Sequence, residues 1–121
     1  MKSHRQSLYK AFGCALRGIV TAVKTERNMK IHMAAALIVR IAAALLHLDR
    51  MSWLFLILAI AIVFIAELIN TAIEAVVDLI SPQKHVLARL AKDTAAGAAL
   101  VAAAFAVMVG LLVFYQPVWE W

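Results

Sequence analysis

Apolar residues in this chain fall into three long runs and one periodic stripe. The first run, IHMAAALIVRIAAALLHL (31–48), is broken only by Arg40 and its two histidines. The second begins at Ser52 and carries no charge until Glu67, then continues to Ile80 with polar residues at helical spacing. The third, TAAGAALVAAAFAVMVGLLVFY (94–115), has no charged residue at all. Roughly 20 apolar residues in a helix cross a bilayer, where every backbone polar group must be satisfied internally. Three transmembrane helices are therefore predicted, over 31–48, 52–80 and 92–115. Residues 5–25 differ. Leu8, Phe12, Ala15, Ile19, Ala22 and Val23 recur at steps of three and four, with Lys10, Arg17 and Lys24 on the opposite face. That pattern predicts an amphipathic helix lying in the membrane surface. The fold class expected is an all-α integral membrane protein, with residues 1–121 as one domain.

Composition sharpens this picture. A chain of 121 residues that is 65% hydrophobic and 16% charged is too short to hide that much apolar surface from water. The N-terminal residues interleave basic with apolar positions and show no signal-peptide pattern, so insertion is expected through the internal segments. Cys14 is the only cysteine, which excludes an intramolecular disulfide. The net charge of +5 is explained by topology rather than by nucleic acid. Residues 1–30 hold seven lysines and arginines, and the 81–93 connection adds Lys84, Arg89 and Lys92; the 47–52 turn has only Arg50 and the C-terminal QPVWEW has none. The positive-inside rule then predicts a cytoplasmic N-terminus and 81–93 loop in a multi-pass cell-membrane protein. Tyr115 and the tryptophans at 53, 119 and 121 fall near the outer interface.

The candidate chemistry lies in ELINTAIEAVVD (67–78). On a helical wheel Glu67, Asn70, Thr71, Glu74 and Asp78 share an arc of about 100°, and Ile69, Ala72, Ile73 and Val76 take the other side. Ionisable groups in a membrane each cost about 2.5–3.5 kcal/mol or more at its centre, and so point to function. Two chemistries suit such a stripe. One is a cation relay in a small transporter. The other is a Mg²⁺ site beside a membrane-bound alcohol, since magnesium takes one or two carboxylates together with phosphate oxygens. For the second, Glu74 and the N-terminal Glu26 are candidate ligands, Glu67 would meet a lipid-embedded group, and Lys92 suits phosphate as a mobile charge.

ELINTAIEAVVD followed by LAKDTAAGAALVAA resembles the prokaryotic diacylglycerol kinase family of small integral-membrane enzymes, and KTERNMKIH upstream is similar to its undecaprenol kinase branch. The resemblance covers about residues 8–115. It implies a surface helix, three transmembrane helices and a homotrimer with active sites at subunit boundaries. It also implies transfer of the γ-phosphate of MgATP to a lipid hydroxyl. By position, Glu67 matches the catalytic base, Glu26 and Glu74 the metal carboxylates, and Asn70 a polar active-site residue. Asp78 completes the same stripe. Lys92 and Asp93 match nucleotide-contacting positions, and Gln83, Lys84 and His85 fall where the family's loop meets the nucleotide. Glu67 and Ala96 are the lipid-substrate candidates. The only glycines are 13, 18, 97 and 110, so no glycine-rich phosphate loop is present, and ATP chemistry is expected from carboxylates on helices.

Three positions qualify the resemblance. His32 stands where the family's diacylglycerol-preferring members have an acid, which favours undecaprenol over diacylglycerol as the substrate. Ser7 takes the place of the family's N-terminal arginine, and Arg5 lies about 200° away on a helix. Arg40 lies within the first span and is expected either to pair with a membrane carboxylate or to snorkel to an interface. Ala95, Ala99 and Ala103 form a smooth helix face suited to close packing.

Overall fold

The computed structural model describes residues 7–119, and side chains through Tyr115. Four helices follow one another: α1 (Leu8–Thr25), α2 (Arg27–Leu45), α3 (Arg50–Ile80) and α4 (Val86–Trp119). There is no strand among the described residues. Three of the helices, α2, α3 and α4, are long and apolar enough to cross a membrane. Arg5, the side chain of Trp119, and Trp121 lie outside the described parts.

Local chemistry sets each boundary. Ser7 caps α1, its Oγ accepting from the Lys10 N–H at 3.3 Å, so the position matched to an arginine in the resemblance serves here as a helix start. α1 gives way to α2 at one residue. Glu26 is extended (φ −100°, ψ 119°), its N–H donates to the Ala22 carbonyl at 2.9 Å and its own carbonyl accepts from Lys30. α2 thus begins four residues before the predicted span, in the polar RNMK segment, and stops three residues short of it. The stop is made by His47 in the left-handed region (φ 53°), with the Leu48 N–H donating to the Ala43 carbonyl at 3.2 Å. That is the usual way of satisfying the last carbonyls of a helix.

α3 ends before Pro82, which has no N–H to give and disfavours a helical residue ahead of it. The Ser81 hydroxyl then donates to the Gln83 carbonyl (2.9 Å). α4 starts at Val86, six residues ahead of the predicted 92, because His85 supplies the cap: its Nδ1 accepts from the Leu87 N–H at 3.0 Å.

α3 and α4 run side by side along most of their length, while α1 and α2 pack less extensively. Ala95, Ala99 and Ala102 are buried along the α4 face. Small side chains let two helices approach closely in lipid, where packing rather than water exclusion drives association. Ala103, expected in that row, is half-buried and lines a groove instead. Near the α2–α3 turn, Ala43, Leu56, Ala59 and Val109 form a core, against which Trp53 and Phe114 pack. With 31 residues, α3 is about 46 Å long, against a hydrocarbon layer of about 30 Å. Counted from Arg50, that layer is crossed by about residue 70. On that count Glu67 would lie near one edge of the layer, with Glu74 and Asp78 in the surplus turns beyond it.

Candidate active site

Glu67 and Asn70 are the buried polar residues among those described, with 5% and 7% of their surface exposed. Both project from the inner face of α3. Antiparallel packing of α2 brings His32 onto this face, with its Nε2 3.3 Å from Glu67 Oε1. One turn on, Asn70 Oδ1 and Thr71 Oγ1 are buried without a hydrogen-bond partner. Such orphaned acceptors cost about 1–3 kcal/mol each unless something fills the place. The deficit lies on the same arc that the sequence marks as polar.

An apolar groove of about 750 Å³ begins at His32 and passes between α2, α3 and α4. Ala35, Val39, Ile60, Phe64, Ala103 and Phe114 help line it, and Tyr115 stands at its far end. On α3 the lining runs from Leu56 to Phe64, about 12 Å of helix. Phe64 is one turn from Glu67. The groove is thus an apolar channel along the helices with its polar end at His32. Ala96, a candidate for the lipid, is exposed and lies outside the groove lining; α4 enters that lining only at Ala103.

Beyond Glu67 the charged groups gather on the same side of the molecule. Glu74 is half-buried, and the charged groups acting on it are, strongest first, Glu26, Lys92, Asp78 and Glu67. The joint between α1 and α2 has therefore brought Glu26 back to α3, across 48 residues of chain. Glu26 and Glu74 repel one another with Lys92 partly offsetting the repulsion, an arrangement of carboxylates of the kind a hard cation neutralises. Among the described residues no three His, Cys, Asp or Glu side chains gather to enclose a metal. Two carboxylates suit a cation that completes its shell with phosphate and water, as magnesium does.

The α3–α4 loop borders this cluster. Gln83, Lys84 and His85 are exposed and, with Asp78, Arg89 and Lys92, line a surface pocket of about 470 Å³. Lys92 Nζ is 2.6 Å from Asp78 Oδ1, which ties α4 to α3. Asp93 turns away from that pocket to Arg89, whose Nε is 3.6 Å distant along the exposed helix face. Arg89 is the residue of this region that motif reading did not single out for chemistry, and His32 was marked for the choice of lipid but not as a partner of Glu67. Arg89 lies one turn before Lys92 on the same helix, and that spacing is the signal for it. His32 has no such signal, because its meeting with Glu67 depends on the register of two helices.

Arg40 is not part of the site. It is exposed, with no ion pair among the described residues, and stands eight residues along α2 from His32. That puts it about 12 Å from the level of Glu67 toward the α2–α3 turn. Pairing with Glu67 is ruled out by register, and the last turn of α2 is within reach of its long side chain.

Three lipid-length helices with an acidic cleft at the bilayer edge and an apolar groove leading from it define a multi-pass membrane enzyme. Residues 13–114 match the family model described as prokaryotic diacylglycerol kinase. The chain is 46% identical over 116 residues to the undecaprenol kinase of Bacillus subtilis, covering 93% of this chain and 94% of that one. To a diacylglycerol kinase of Synechocystis it is 45% identical over 112 residues, 92% of this chain and 64% of that protein. To the diacylglycerol kinase of Escherichia coli it is 32% identical over 109 residues, 90% and 89% of the two chains. The protein belongs to the prokaryotic diacylglycerol kinase family, a family of ATP-dependent lipid kinases.

Proposed function

We propose that this protein phosphorylates undecaprenol, transferring the γ-phosphate of ATP to its terminal hydroxyl at the cytoplasmic face of the membrane. What supports this is the apolar groove whose polar end is His32, itself 3.3 Å from the buried Glu67: a long hydrocarbon chain lies along the helices and its alcohol passes His32 to reach Glu67. Glu67 accepts the hydroxyl proton as the oxygen attacks the γ-phosphorus and the bond to the β-phosphate bridging oxygen breaks, releasing ADP. Asn70, one turn from Glu67, presents its amide N–H donors to the reacting oxygens, and its Oδ1 lacks a partner within the protomer. Glu26 and Glu74 hold Mg²⁺, which neutralises charge on the phosphates when bound. Lys92 leaves Asp78 to meet phosphate oxygens, with Gln83, Lys84, His85 and Asp93 bordering the nucleotide. Most of the catalysis in such a site comes from alignment and charge.

The wider arrangement is proposed on the same footing. α1 lies in the cytoplasmic interface, where Leu8, Phe12 and Ile19, exposed on the protomer, enter the lipid and its lysines face the headgroups. The N-terminus is cytoplasmic and the active protein is a homotrimer. The test is phosphorylation of undecaprenol and of diacylglycerol by the purified protein in lipid micelles. Faster labelling of undecaprenol, abolished by Glu67→Gln, is the expected result; labelling of neither lipid refutes it. Diacylglycerol is the second reading, favoured by the 45% identity to a diacylglycerol kinase. A cation relay is disfavoured by the groove, whose lining between His32 and Tyr115 is apolar.

A further inference from the structure

His32 occupies a place that neither the metal pair nor the nucleotide pocket needs. Its ring forms the polar end of the groove lining, and its Nε2 lies 3.3 Å from Glu67 Oε1, with 23% of the His32 side chain exposed against 6% of that of Glu67. Glu67 itself does not line the groove. An alcohol arriving along the groove therefore passes His32 on its way to the carboxylate.

We propose that His32 is the positioning residue of Glu67: its Nε2–H donates to Oε1, fixing the carboxylate rotamer so that Oε2 takes the hydroxyl proton. The inference rests on the reading of Glu67 as the proton acceptor. A buried glutamate has three rotatable bonds and two equivalent oxygens. Without a donor on one of them, the acceptor oxygen is not held on the line of approach, and small misplacements of a reacting group are costly. A contact of 3.3 Å is a loose hydrogen bond, of the sort that tightens when substrate closes the site. In the step itself the alcohol O–H proton passes to Oε2, the oxygen–phosphorus bond forms, and ADP departs. His32 keeps its own proton throughout, so it is not the base.

This role separates two kinds of replacement. Glutamine carries an amide donor near the place of Nε2 and cannot accept a proton in the working pH range. Leucine fills similar space and donates nothing. The experiment measures kcat and KM for ATP and for undecaprenol in wild type, His32→Gln, His32→Leu and Glu67→Gln, with thermal unfolding in detergent for each. His32→Leu is expected to lower kcat about 10- to 100-fold, the factor that a hydrogen bond to a charged group supplies. Its KM for ATP and its unfolding midpoint should match wild type. His32→Gln should recover kcat to within about threefold of wild type. A His32→Leu enzyme with undiminished kcat overturns the proposal. So does a His32→Gln enzyme as slow as His32→Leu, since the imidazole would then be doing what an amide donor cannot. If wild type labels undecaprenol and Glu67→Gln does not, either of those results removes His32 alone. If wild type labels no lipid alcohol, the kinase reading fails and the positioning role with it.

Discussion

At the scale of single residues, the two acids set two turns apart on α3 are asked to do different work, and their surroundings agree. Glu67 is buried beside His32 of α2, whereas Glu74, two turns on and half-buried, is acted on by Glu26 and Lys92. Glu74→Gln should therefore lower kcat at least 100-fold. It should also raise the magnesium concentration for half-maximal rate, read from a metal titration at fixed ATP. Glu67→Gln should abolish turnover and leave that metal dependence of nucleotide binding unchanged. Arg40→Leu gives a contrasting expectation: at about 12 Å from the level of Glu67, it should leave kcat within twofold, measured with undecaprenol. The polar arc from Glu67 to Asp78 was legible because helical spacing alone puts those residues on one face. The His32–Glu67 contact was not, since it needs the offset between α2 and α3. That offset is fixed by four connecting residues whose geometry hangs on a left-handed His47.

At the scale of elements, the chain's apolar runs located three helices but misjudged where they end. Hydropathy reports the part of a helix that lies in lipid. The ends of α2 and α4 are set instead by capping groups in polar segments: Glu26 ahead of RNMK, and His85 with its Nδ1 on the Leu87 N–H. Two stability predictions belong here. His47 holds a conformation that costs a side-chain-bearing residue about 1–2 kcal/mol. His47→Gly should therefore raise unfolding free energy by about 1 kcal/mol, measured by denaturant titration in mixed micelles. Ala99 is buried between α3 and α4, so Ala99→Leu should force the two helices apart and cost about 1–3 kcal/mol, with a matching drop in the same titration.

At the scale of the molecule, the protomer leaves most of its apolar surface uncovered: only 11–22% of each spanning window is buried within it. In the proposed homotrimer, lipid and further copies of the chain would share that surface. Glu26 and Glu74 interact within one protomer, and the metal carboxylates are expected to come from the same copy. Mixing subunits carrying Glu26→Gln with subunits carrying Glu74→Gln should therefore restore no activity beyond the residual rates of each. Recovery in mixed trimers would show that the metal carboxylates come from different copies.

The joint at Glu26 has one more consequence, for how chains of this kind can change over time. A loop of several residues absorbs insertions and deletions, but here a single extended residue separates α1 from α2. One residue added or lost there would swing the carboxylate by about 100° about the axis of α2 and move it away from Glu74. Length variation should thus collect at the two chain ends and in the 81–85 loop, while the spacing from Thr25 to His32 stays fixed. A library of single-residue insertions scored for lipid phosphorylation would map that intolerance directly, with its sharpest minimum at this joint.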